Sequence, residues 1–300
     1  MTSDTNGPDD VVASSAKPGE RHDLTADALT ILGRSAPERV QAIRSGTWIP
    51  YPRAKQALAQ LRYVLSQPPS NRMMGLTLSG PTNNGKTTIV REFITANRAQ
   101  PSDPSAERPE FLYVETPPVP NISMLYTQIL RGVGDLKAEK GTMSQKLARV
   151  LHILPQLHPR MLFLDEIHNV LAGSARQSEA FLNTLKYLSN QLQLPVVLIG
   201  TEAALNVIRT DPQVLSRYPA FTLSPWAQDE QFARLVTVVL STLPLRRPSK
   251  LSQANLARLH ARSHGALGAV VQILQRAAVW AIETSTEEIN ARALEATEIG

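Results

Sequence analysis

Residues Gly80-Pro81-Thr82-Asn83-Asn84-Gly85-Lys86-Thr87 satisfy the spacing G-x-x-x-x-G-K-[ST] at every fixed position, and they follow a short, largely apolar stretch at 75–79. The two glycines let the backbone curl so that successive N–H groups face one centre. A helix opening at Lys86 directs its positive end at the same point. That geometry suits phosphate oxygens, so the chain is expected to fold around a strand–loop–helix unit that takes a nucleoside triphosphate. In it Lys86 reaches the β- and γ-phosphates, Thr87 serves as a Mg²⁺ ligand, and Gly80, Pro81, Thr82, Asn83, Asn84, Gly85 and Thr88 complete the cradle.

Further along, Met161-Leu162-Phe163-Leu164-Asp165-Glu166 is a wholly apolar run that ends in two carboxylates. A buried parallel strand ends in this way at a catalytic edge. Asp165 is the candidate for the Mg²⁺ shell. Glu166 is the candidate for polarising an attacking water, because phosphoryl transfer depends on positioning and electrostatics and something must orient the nucleophile. The competing reading is an acidic helix start, which the upstream loop makes the weaker of the two.

The chain has 300 residues, 42% of them hydrophobic, enough for one large domain or two smaller ones. It has no cysteine, which excludes disulfides, thiolate metal sites and cysteine catalysis. Residues 1–27 are polar and lack the apolar core of a signal peptide, and no later run is long enough to span a membrane. The expectation is a soluble, cytoplasmic protein. Residues 1–27 carry six acids against two bases, a net of −4, so the formal +5 of the whole chain leaves +9 for residues 28–300. A basic body behind an acidic tail points to a polyanionic partner.

The tail, residues 1–27, is expected to be disordered. A segment at 28–70 holds helices near 36–45 and 53–65, separated by Trp48-Ile49-Pro50-Tyr51-Pro52, whose prolines bar a helix interior. Residues 71–225 alternate strands (75–79, 111–114, 161–164, 196–199, 221–223) with helices (86–98, 122–131, 144–153, 178–191). That alternation predicts an α/β fold: a parallel sheet sandwiched by helices, with ligands at the carboxyl ends of the strands. Residues 226–300 read as a small all-helical lid with helices near 228–241, 253–262, 266–282 and 287–296, the last marked by the capping-box pattern Ser285-Thr286-Glu287-Glu288.

Thr201, after the apolar strand 196–199, is placed to sense a γ-phosphate or to cap a helix at 202–208. Arg209 and Arg217 flank Asp211-Pro212, and either could complete a neighbouring subunit's site as an arginine finger; Arg217 is favoured because it abuts the last strand. Lys137, Lys140, Lys146 and Arg149, near Arg131, are DNA-contact candidates or a solvated helix face. The histidines lie on separate elements with no matching ligand set, so no metal beyond Mg²⁺ is expected.

With these motifs the chain resembles the AAA+ ATPases, and among them the TniB family of transposition regulators, relatives of TnsC and MuB. The resemblance covers about residues 36–285. It rests on Trp48 to Arg53, Gly80 to Thr87, Leu164-Asp165-Glu166-Ile167-His168, Ile199-Gly200-Thr201-Glu202 and the Arg217 segment. It implies an ATP- and Mg²⁺-dependent homo-oligomer, ring or helical filament, on double-stranded DNA. It also implies partnership with a TniA-like transposase and a TniQ-like targeting protein, and Ile49 and Tyr51 lining the adenine pocket. A helicase-loader-like AAA+ protein and a nucleotide-gated adaptor without DNA binding are the alternatives. One departure stands out: Gly265-Ala266-Leu267-Gly268 has glycine where many AAA+ lids place arginine in a G-x-x-R pattern. Slow basal hydrolysis is the expectation from that loss.

Overall fold

The computed structural model describes residues 24–98 and 109–297; most of the acidic tail lies outside them. Helices α1 (Ala26–Leu32), α2 (Ala36–Ser45) and α3 (Pro52–Leu65) precede β1 (Leu76–Ser79) and α4 (Lys86–Asn97). Then come β2 (Phe111–Glu115), α5 (Ile122–Gly132), α6 (Met143–Leu157), β3 (Met161–Asp165), a 3₁₀ segment (Ile167–Ala172), α7 (Ala175–Leu192) and β4 (Val196–Gly200). Short helices α8 (Ala203–Thr210) and α9 (Pro212–Arg217) lead to β5 (Ala220–Thr222). Four helices close the chain: α10 (Glu230–Ser241), α11 (Gln253–Ser263), α12 (Leu267–Glu283) and α13 (Ala291–Ala296).

All five strands are parallel, in the order β5-β1-β4-β3-β2. Their side chains alternate between two cores, as the period of a strand demands. Met161 and Phe163 of β3 and Val197 and Ile199 of β4 face a core shared with α2, α3, α4 and the C-terminal helices. Leu162, Leu164, Val196 and Leu198 face one shared with α5, α6 and α7. Burial on both faces explains why these strands read as unbroken apolar runs. Phe93 of α4 meets Phe111 and Phe163 edge-on at centroid distances of 5.8 and 6.0 Å, contacts worth about 0.5–1.5 kcal/mol each beyond burial. They fix the helix that carries Lys86 and Thr87 to the sheet.

Several boundaries differ from expectation. Helix α1 begins at Ala26, inside the stretch read as tail, because Thr25 caps it by accepting from Ala28 N. Helix α7 starts at Ala175, three residues earlier than periodicity suggests, because Ser174 and Gln177 form a capping box. The expected capping box at Ser285 to Glu288 does not form. Ser285 and Glu287 have φ of 57° and 58°, Asn290 caps α13 instead, and the Glu287 carboxylate turns to Arg39. Arg39 of α2, 1% exposed, donates to both Glu287 oxygens at 2.8 and 2.6 Å and to Pro244 O at 3.0 Å. The amino-terminal helices are thereby fastened to the carboxyl-terminal ones.

Candidate functional site

Strand order decides what meets at the carboxyl edge of the sheet. Because β4 lies between β1 and β3, Thr201 after β4 stands between the loop that follows β1 and the carboxylates that end β3. Gly80 N donates to Gly200 O at 3.2 Å and holds the loop to that edge.

The loop curls through left-handed backbone at Asn83 (φ 59°) and Gly85 (φ 82°). Gly80 is required by closeness, since a Cβ there would lie 2.6 Å from Leu223 O. Gly85 is the N-cap of α4 and gives that helix no side-chain cap, leaving its first N–H groups for an anion. Lys86 Nζ donates to Gly80 O at 2.8 Å and Pro81 O at 2.7 Å, so the ammonium lies against the loop's mouth. Burial lowers its pKa, opposed by the charges of Glu166 and Asp165.

Thr87 Oγ1 donates to Asp165 Oδ2 at 3.0 Å. Asp165 is 6% exposed; its other oxygen accepts from Glu166 N at 2.8 Å, and the Tyr113 hydroxyl also donates to Oδ2. Burial, followed by the bond to Asp165, raises the Tyr113 pKa above its ordinary value, so the phenol stays a donor. Glu166 has φ 55°, a half-exposed side chain, and Oε2 3.0 Å from His168 Nδ1. A hydroxyl and a buried carboxylate together, both oxygen donors, fit a small hard cation such as Mg²⁺.

These groups open into a cavity of about 600 Å³, within the range of small-molecule sites. Its lining also includes Trp48, Ile49, Tyr51, Val271 and Gln272. Ile49 and Tyr51 are 7% and 4% exposed, and Tyr51 packs edge-on to Trp226 at 5.7 Å. Burial pushes the Tyr51 pKa to about 12, so it is a neutral wall. The lining thus combines the loop and its lysine with an apolar and aromatic wall. Thr201 lines the cavity, and its side chain is not the cap of α8, whose N-cap is Glu202.

Two sequence expectations are corrected. Arg217 is 9% exposed; its guanidinium donates to Asn190 Oδ1 at 2.7 Å and Lys186 O at 3.3 Å, tying α9 to α7. Its guanidinium is thus buried and engaged within its own chain, whereas Arg209 is exposed at the end of α8. Likewise Lys146 is buried and donates to Thr127 Oγ1 at 2.8 Å. Arg149 binds Lys137 O and Lys140 O at 2.8 and 2.9 Å, fixing the turn between α5 and α6. Lys137 and Lys140 keep their side chains on the surface. No group of three or more potential metal ligands occurs among the described residues, and none of their helices is long and apolar enough to cross a membrane.

The family model for bacterial TniB proteins matches residues 39–228, well over half the chain. The chain belongs to the TniB family. Among solved structures, this TniB-family fold resembles the ADP form of Aeropyrum pernix ORC2 (TM-score 0.62, 17% identity, 85% of this chain and 71% of that one). It resembles Cdc6p from Pyrobaculum aerophilum (0.59, 18%, 83% and 67%) and Aeropyrum pernix ORC1, solved in complex with DNA (0.56, 17%, 82% and 64%). At such identities the likeness is one of fold alone, that of P-loop AAA+ ATPases with a helical carboxyl-terminal region. No curated protein matches the chain.

Residues that sequence reasoning missed in this TniB-family site are Tyr113, Trp48, Gln272 and the lid contact at Leu267 and Gly268. Tyr113 carried a signal of its own, a polar-tipped residue in strand β2.

Proposed function

We propose that this protein is an ATP-dependent regulator of DNA transposition, a DNA-associated cytoplasmic ATPase that oligomerises on double-stranded DNA and recruits or activates a transposase. The observation that carries the enzymatic part is the Thr87–Asp165 pair, set beside Lys86 and Glu166 in one cavity. Loop N–H groups and Lys86 bind the β- and γ-phosphates, and Thr87 and Asp165 hold Mg²⁺. The metal supplies charge neutralisation across those phosphates. Glu166 orients water and accepts its proton, Thr201 bonds the terminal phosphate, and Ile49 and Tyr51 enclose the adenine.

Asp165 is kept in place by Tyr113 and the Glu166 N–H. Glu166, half-exposed and next to Asp165 in the cavity lining, is therefore the candidate to move a proton. Arg209, exposed beyond β4, is the candidate to complete a neighbour's site, which would make hydrolysis depend on assembly. The TniB match favours a transposase partner, TniA-like with a TniQ-like targeting protein, over a helicase. The basic body favours DNA binding over a nucleotide-gated adaptor. The test is Glu166→Gln, which should bind ATP and remain trapped on DNA; normal release from DNA in that variant would overturn the proposal.

A further inference from the structure

Helix α12 has no cap of its own. Its N-cap residue Ala266 makes no side-chain bond to it, yet its first two N–H groups are both satisfied. Leu267 N donates to Asn84 Oδ1 at 3.1 Å, and Gly268 N donates to Asn83 O at 2.8 Å. Both acceptors belong to the phosphate loop, so the loop caps the lid helix across more than 180 positions of sequence.

Asn84 does more. It is 3% exposed, and its amide nitrogen donates to Leu223 O at 2.8 Å and Ser224 O at 3.4 Å, where the chain leaves β5 for the C-terminal helices. The side chain therefore joins the loop to both the exit from the sheet and the start of α12. Gly268 makes this approach possible, since a Cβ there would lie 2.1 Å from Asn83 Oδ1 and 2.5 Å from Asn83 O. In place of a charged side chain reaching from lid to phosphate, α12 touches the loop itself. Behind that contact, Val270, Leu274, Ala277 and Ala281 of α12 are fully buried, so the helix moves with what packs on it.

We propose that Asn84, with Gly268 opposite it, is the positioning residue that couples occupancy of the phosphate loop to the order and placement of the helical lid; this rests on the nucleotide reading above. Phosphate gathered by the loop's N–H groups fixes the peptide units at 83–85. Fixing them aligns both acceptors for α12. An N-cap acceptor is worth about 1 kcal/mol, a roughly fivefold change in local opening.

The test is amide hydrogen exchange at residues 267–270 in the full chain, with and without saturating Mg²⁺-ADP, while fluorescent ADP titration reports binding separately. In the wild type, nucleotide should slow exchange there about fivefold. In Asn84→Ala and Gly268→Ala, compared at ADP concentrations that the titration shows to be saturating for each variant whatever its affinity, the ratio should fall to near one. A purely structural role would speed exchange equally with and without ADP and leave the ratio intact, and that result in both variants would overturn the proposal. Should Asn84→Ala not fold, Gly268→Ala decides alone, since it leaves the loop sequence untouched. A wild type that binds ADP with no change at 267–270 overturns the coupling and spares the nucleotide reading; a wild type that binds no ADP removes both.

Discussion

Thr87 at the start of α4 and Asp165 at the end of β3 are 78 positions apart in sequence and share a hydrogen bond of 3.0 Å. The parallel sheet and the aromatic contacts of Phe93 bring them together. Replacing Lys86 beside them with alanine removes a charge-assisted donor worth roughly 1.5–3 kcal/mol. ATP affinity should therefore fall about 10- to 100-fold, with the thermal midpoint little changed, as fluorescent-nucleotide titration and calorimetry would show.

Glu166→Gln keeps the size of the side chain and the backbone bond to Asp165, and removes the proton acceptor. Hydrolysis should drop about 10²- to 10⁴-fold with ATP affinity retained, measured by phosphate release under saturating ATP.

Arg209→Ala should lower hydrolysis by the assembled protein by about 10³-fold or more without weakening nucleotide binding. Mixing it with Glu166→Gln should restore part of the activity, because a site with an intact glutamate then meets an intact arginine from its neighbour. No recovery on mixing would show that Arg209 does not act between subunits. Arg217→Ala, by contrast, should lower the thermal midpoint, since it removes the bonds that tie α9 to α7.

Arg39→Ala strands the Glu287 carboxylate and should cost about 3–5 kcal/mol in denaturant unfolding. Burial raises the Glu287 pKa, but the bonds from Arg39 and Arg246 N outweigh it and hold it below the ordinary 4.5. Its contribution to stability is thus complete above about pH 4.5 and is lost as pH falls through the lower folded value. The wild type should lose more stability than Arg39→Ala over that acid range.

The phosphate loop, the β3 carboxylates and the strand–helix alternation were legible because each is written in a few adjacent residues with a local physical cause. What depends on distant partners was not. Ser285 to Glu288 spells a capping box locally, yet Ser285 and Glu287 take left-handed backbone and Asn290 caps the helix. Arg217 and Lys146 read as surface charges until Asn190 and Thr127 are seen beside them. The bond from Asn84 to α12 has no trace in the loop's own pattern, which fixes neither asparagine.

Lys137→Ala with Lys140→Ala should weaken DNA binding and reduce the slope of log affinity against log salt by about two. Lys146→Met should leave that slope unchanged, because its ammonium is buried against Thr127.

The most direct measurement is sedimentation of the purified protein with double-stranded DNA in the absence of nucleotide, with ADP, and with a non-hydrolysable ATP analogue. Large assemblies that require both DNA and the ATP analogue are the predicted result. A nucleotide-bound monomer that ignores DNA would contradict the proposed function.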